Sequence, residues 1–236
     1  MLLLALDTCD AHGSVALLRD AEVLQIAVHD TSEDYSVWLL PAIERILLAA
    51  GISFSEVTLC AVAAGPGSFT GVRVGLTTAK AWAEARGMGI AVVSRMEAIA
   101  IQAEGDEPWV AAFADARRGQ FFAALYSRRN SRLERFGDEM VITPEKFVAW
   151  AVEEAGSNPI RWISPEPLTL TETPAWPARR SLGESVDTAS LVLAPVVGRL
   201  GHKLALDGRL TDALTLDANY VRQSDAEVRW HDRQSS

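Results

Sequence analysis

Two stretches of this chain, 108 residues apart, read as the same structural unit. Residues 3 to 17, LLALDTCDAHGSVAL, set above residues 111 to 125, AAFADARRGQFFAAL, match apolar run on apolar run, Asp7 on Asp115 and polar turn on polar turn. Each stretch has the pattern of a β-hairpin, two apolar runs joined by turn-forming residues. A repeat constrains a fold more than a single motif does, because each copy must serve as one unit of a duplicated architecture. The alternative is that any two hairpins of this length match equally well.

The sequence around the first copy extends the unit. A third strand is expected over Val23 to His29, and the segment TSEDYSVWLLPAIERILLAAG carries Tyr35, Leu39, Ile43, Leu47 and Ala50 at helical spacing, with Gly51 as its stop and Pro41 inside it. VTLCAVAAG is apolar without alternation, as in a strand covered on both faces. GVRVGLTTAKAWAEARG is a second helix and IAVVS the strand after it. In the second half the hairpin is followed by a strand to Ile142, a helix begun by Thr143 ahead of Pro144 and Glu145, and a short strand around Trp162. Residues 165 to 180, PEPLTLTETPAWPARR, are too rich in Pro and Thr for regular structure, and a last helix is expected from Thr188 to Leu206. The chain thus divides into a first unit at 1–104, a smaller and more degenerate second unit at 105–222, and a disordered tail at 223–236.

Composition excludes several classes. A hydrophobic fraction of 49% over 236 residues supports a packed core, and the opening MLLLALD is neither basic enough nor long enough for a signal sequence. No membrane association and a cytoplasmic location are expected. The formal charge of −9 argues against a broad nucleic-acid face, although ADARRGQ, SRRNSR and PARRS are locally basic. Cys9 and Cys60 lie in or beside apolar runs and read as reduced, partly buried thiols; no zinc spacing is present.

The segment AVAAGPGSFTGVRVG, residues 61 to 75, has the look of a phosphate loop and fails both templates. The P-loop needs four residues between its glycines and then Lys-Ser/Thr, whereas five residues separate Gly65 from Gly71, which is followed by Val72 and Arg73. Gly65, Gly67 and Gly71 miss the dinucleotide spacing by one residue. What remains is a turn permitted by Gly67, a helix cap at Ser68 or Thr70, and a residual capacity of Gly65, Gly67, Ser68, Thr70 and Gly71 for weak anion binding. Downstream, Gly71, Gly75, Ala79 and Ala83 recur every four residues along one helix face, flanked by Val72, Leu76 and Trp82. That face packs either on the chain's own sheet or on a helix of another chain. His12, His29, His202 and His231 stand alone, and Asp7-Thr8 suits either a magnesium-bound water or an Asx-type turn.

LALDTCDAHGSVALL, AVAAGPGSFTGVRVGLTTAKAWA, ADARRGQFFAALY and YVRQ together resemble the bacterial TsaB (YeaZ) family, relatives of the glycopeptidase-like TsaD proteins. The resemblance implies an α/β chain with the actin-like ATPase (ASKHA) fold of two ribonuclease-H-like mixed-sheet subdomains flanked by helices. It implies a non-catalytic accessory role in threonylcarbamoyl transfer to adenosine 37 of tRNAs reading codons that start with A. The implied partners are a TsaD-type transferase subunit, a TsaE-type ATPase, tRNA through the complex, and a second copy of the chain when alone. In TsaD-type proteins a His-x-x-x-His pair holds the metal; here VSRMEAI, residues 93 to 99, has Arg95 and Ile99 at those places. Neither side chain ligates a metal, and no two glycines are adjacent as a second phosphate loop would require, so ATP and metal are expected on partner subunits and not on this chain alone. Tyr35, Leu39, Ile43, Val72, Gly75, Leu76, Ala79, Trp82 and Ala83 are the expected partner or dimer interface. A metal-dependent peptidase or an actin-fold small-molecule kinase is the competing expectation.

Overall fold

The computed structural model describes residues 1–30, 33–130, 132–219 and 221, so the expected disordered tail lies outside the described residues. The first half begins with β1 (Leu2–Asp7), β2 (Ser14–Arg19) and β3 (Glu22–Val28), followed by α1 (Tyr35–Ala50), β4 (Leu59–Ala63), α2 (Phe69–Arg86) and β5 (Gly89–Val93). After α3 (Arg95–Ala100) come β6 (Trp109–Asp115), β7 (Phe121–Arg129), β8 (Arg132–Ile142), α4 (Pro144–Ala155) and β9 (Ile160–Ser164). The chain continues with α5 (Leu168–Thr171), α6 (Pro177–Ser181), β10 (Val186–Thr188) and α7 (Ala194–Leu206).

The strands form two five-stranded sheets among the described residues, ordered β3-β2-β1-β4-β5 and β8-β7-β6-β9-β10. In each sheet the first three strands are antiparallel and the last two run parallel to the first, so the second sheet repeats the pairing scheme of the first. The repeat is structural. Its spacing differs between the two strands of the hairpin: Leu3 pairs with Leu18 and Ala111 with Leu125, so the second strand is displaced by 107 residues instead of 108. The second turn is one residue shorter, a difference an ungapped comparison cannot carry. This duplicated mixed sheet with flanking helices is the actin-like ATPase fold.

The helices follow from the patterns that announce them. α1 turns Trp38, Leu39, Ala42, Ile43, Ile46 and Leu47 inward and ends at Gly51 in the left-handed conformation. Each of the larger of these side chains contributes roughly 1.5–3 kcal/mol on burial. Pro41 is carried inside α1, where its missing N–H leaves the carbonyl of the exposed Val37 to solvent. Thr143 is the N-cap residue of α4 without a side-chain capping bond, the start being set by Pro144 in the first turn.

Several expectations are corrected. Residues 165 to 180 do form structure: α5 and α6 start at or just after Pro167 and Pro177, and Leu170 and Trp176 seal the second core with Trp162 and Phe147. The last helix begins at Ala194, with Pro195 in its first turn, because residues 186 to 188 instead join the second sheet as β10. The cut at 104/105 separates the sheets but not their helices. α7 packs on β1, β2, β4 and β5 of the first sheet, and α3 packs against β6 and β7 of the second. One core therefore runs from the first sheet through α3 to Ala112, Ala114, Phe122, Ala124 and Tyr126.

Candidate functional site

The glycine segment is occupied by the chain itself. The Cys9 carbonyl accepts from the Ser68 amide at 2.6 Å, and the Thr8 hydroxyl donates to the Gly71 carbonyl at 2.6 Å. A methyl group at position 67 would lie 2.2 Å from the Cys9 oxygen, and one at position 71 only 2.0 Å from the Thr8 oxygen. These glycines are small because the turn between β1 and β2 sits against them. The left-handed residue of the segment is Gly65, with φ of 101°, while Gly67 permits the turn by leaving room for the Cys9 carbonyl. Ser68 caps α2 by accepting from the Gly71 amide at 3.3 Å, while Thr70 lies exposed inside the first turn. The amides of Ser68, Gly71 and Val72, which an anion at this helix start would need, are bonded within the chain.

The same turn is an Asx-type turn: Asp7 Oδ1 accepts from the Cys9 amide at 3.0 Å. Tyr35 braces it from α1, its hydroxyl accepting from the Gly13 amide at 2.7 Å and donating to the Asp10 carbonyl. His29 stacks on Tyr35 with ring centroids 4.2 Å apart. Burial pushes the Tyr35 phenol and the thiols of Cys9 and Cys60 upward in pKa. Arg95, buried at the start of α3, pairs with the Asp10 carboxylate, and its amide donates to the Gly65 carbonyl at 2.8 Å. Ile99 is fully buried in the core. An arginine locked to a carboxylate and an apolar core residue do not fit a metal.

The nine residues expected at an interface fall mainly inside the molecule. Leu39, Ile43, Val72, Gly75, Leu76 and Ala79 are buried, and Tyr35, Trp82 and Ala83 are half-buried. The ridge of small residues faces its own chain: a methyl at Gly75 would meet the Thr8 hydroxyl at 2.7 Å and the Val62 side chain at 3.4 Å. Gly71 and Gly75 of that face thus pack on the chain's own β1–β2 turn, and Gly75 also on β4.

What the helix pair offers outward shares Ile43 and Trp82 with those nine and is otherwise made of other residues. Leu40, Ile43, Glu44, Leu47 and Leu48 of α1 and Trp82 of α2, with Ile52 and Phe54 from the connection between α1 and β4, line a groove of about 370 Å³. Leu48 is 80% exposed and Leu40 57%. A second depression of about 440 Å³ runs along α2 over Phe69, Thr70, Arg73, Val74, Thr77 and Thr78. The signal for the groove is in the sequence, since Val37, Leu40, Glu44 and Leu48 form a second stripe beside the core stripe, apolar at three of its four places. A helix apolar on both stripes has more apolar surface than its own sheet covers.

The family model of TsaD, tRNA N6-adenosine threonylcarbamoyltransferase, matches residues 26–169, more than half of the chain. The tRNA threonylcarbamoyladenosine biosynthesis protein TsaB of Bacillus subtilis (strain 168) is 27% identical over 249 aligned residues, covering 99% of this chain and 100% of that protein. The chain belongs to this family, in its TsaB (YeaZ) branch. The TsaB protein of Escherichia coli (strain K12) is 32% identical over 61% of this chain and 64% of its own length. Among solved structures, YeaZ from Pseudomonas aeruginosa superposes with a TM-score of 0.72 at 26% identity, over 93% of this chain and 99% of that one. A second crystal structure, of a Pseudomonas aeruginosa protein with similarity to peptidase YeaZ, gives 0.76 at 27% identity, over 94% and 99%. As a TsaB-family chain this protein takes part in threonylcarbamoyladenosine biosynthesis. Among the described residues no helix is long and apolar enough to cross a membrane.

Proposed function

We propose that the chain is a non-catalytic scaffold of the threonylcarbamoyl-transfer step, acting in the cytoplasm through a TsaD-type partner docked on the outer face of α1 and α2. The carrying observation is the groove between Leu40, Leu48 and Trp82, apolar surface of a kind that a chain acting alone seldom leaves uncovered. The same face joins two copies of the chain when the partner is absent. ATP and metal belong to the partner subunits in this reading, with a TsaE-type ATPase attached and tRNA reached through the complex. Two features of the site support a non-catalytic role. The phosphate-like segment is filled by Thr8 and Cys9, and Arg95 is committed to Asp10.

The test is genetic and chemical. Deleting the gene is expected to abolish threonylcarbamoyladenosine in total tRNA, read by nucleoside mass spectrometry, and resupplying the chain to restore it. An unchanged nucleoside level after deletion overturns the proposal.

A further inference from the structure

We propose that residues 207–219, the stretch after α7, form a releasable strap that runs beside the edge strand β5 from its amino end and is latched by Glu139 at the carboxyl end of β4. In open α/β sheets the crevice at the carboxyl ends of the strands, where the strand order reverses, is the accessible side of the fold. In the first sheet that reversal lies between β1 and β4. The strap starts beside β5, where the Thr211 amide donates to the Ile90 carbonyl at 2.8 Å, and ends at the glycine segment, where the Asn219 amide donates to the Ala64 carbonyl at 2.9 Å. The Asn219 carbonyl oxygen closes over Gly65, 3.2 Å from where a methyl group there would stand.

Among the described residues those two bonds are the strap's backbone connections to the body of the protein; its other backbone bonds turn back on itself or on α7. Its apolar attachment is thin. Ala213, Leu216 and Ala218 pack partly on the core, while Leu210 is 46% and Leu214 83% exposed. A segment with few buried apolar contacts and few backbone bonds opens at a small fraction of the global unfolding free energy.

What fixes its far end is one carboxylate. Glu139 on β8 is buried and accepts from the Asn219 side-chain amide, from the Ser94 hydroxyl and, at 3.5 Å, from the Arg135 guanidinium. Ser94 closes β5 in the first half, so Glu139 ties together the second sheet, the end of the first sheet and the strap. Release would uncover Gly65 and, behind it, Arg95 and the β1–β2 turn. There Asp7 Oδ2 and Arg95 Nε are buried without a hydrogen-bond partner. The strap is thereby a built-in cover for a place where, among the described residues, two buried polar atoms lack a hydrogen-bond partner.

Hydrogen exchange read by mass spectrometry on the full-length chain tests this. In the unmodified protein, peptides over 209–219 are expected to exchange well ahead of β4 peptides, by local opening. Asn219→Ala removes the latch contact while keeping Glu139 and Ser94 together. It is expected to speed strap exchange about tenfold and leave β4 unchanged, as suits loss of one charge-assisted hydrogen bond. Glu139→Ala should speed the strap at least as much; if it also loosens β4, the Asn219 variant alone decides. Strap amides that exchange with β4 in the unmodified chain, or that do not respond to Asn219→Ala, overturn the proposal.

Discussion

Gly71→Ala separates the two roles a glycine can have at the start of a helix. Gly71 lies within α2, where alanine is the better helix former by about 1 kcal/mol. Helix propensity alone therefore predicts stabilisation. The structure predicts the reverse, because the new methyl would stand 2.0 Å from the Thr8 carbonyl oxygen, over an ångström inside ordinary contact. Thr8 has to move, and with it goes the buried 2.6 Å bond from its hydroxyl to the Gly71 carbonyl. That bond is worth about 0.5–1.5 kcal/mol, and overpacking of this kind costs about 1–3 kcal/mol. After subtracting the propensity gain, the net loss is roughly 0.5–3.5 kcal/mol, centred near 2. Urea unfolding followed by circular dichroism measures it directly, and calorimetry should show a fall of about 4–8 °C for a chain of this size. A variant as stable as the parent, or more so, would refute the idea that the glycine segment is seated against the β1–β2 turn.

Ala79 is fully buried against the first sheet, so Ala79→Arg is expected to abolish soluble, folded protein and not merely to weaken an interface; a well-folded variant by circular dichroism would contradict this. Burial raises the Glu139 carboxyl pKa, so the native state holds this proton more tightly than the unfolded chain. The stabilisation that follows is fully present below the unfolded pKa and is lost as pH rises through the folded one. Glu139→Gln should flatten that segment of the stability–pH curve, and an identical curve for the variant would count against the assignment. Cys9 and Cys60 are buried thiols held protonated by burial, so neither is expected to react with a disulfide reagent at pH 8 until denaturant is added.

Much of the fold is legible because the sequence repeats it. Asp7 and Asp115 mark equivalent hairpins, and periodicity locates α1 and α2 within a residue or two. The parts that escape are decided by tertiary contacts. Residues 165 to 180 gain their short helices from Leu170 and Trp176 entering a core built by Trp162 and Phe147, which no local pattern of Pro and Thr announces. Val186–Thr188 is too short to stand out as a strand and exists because β9 offers an edge. At the site, the counting that rejected both phosphate templates also left the small residues of α2 unexplained. Whether Gly75 and Ala79 face a neighbour or the chain's own turn depends on where Thr8 lies, 63 residues from its partner Gly71. The core stripe of α1 is the stronger periodic signal, and it drew attention from Leu40 and Leu48, which carry the outward face.

Leu40→Glu combined with Leu48→Glu places two charges on side chains that are 57% and 80% exposed, so the melting temperature should stay within about 2 °C of the parent. Binding of this variant to a purified TsaD-type partner, measured by titration calorimetry, is predicted to weaken by at least about tenfold, as for the centre of a protein interface. Unchanged affinity in a variant that remains folded would contradict the account.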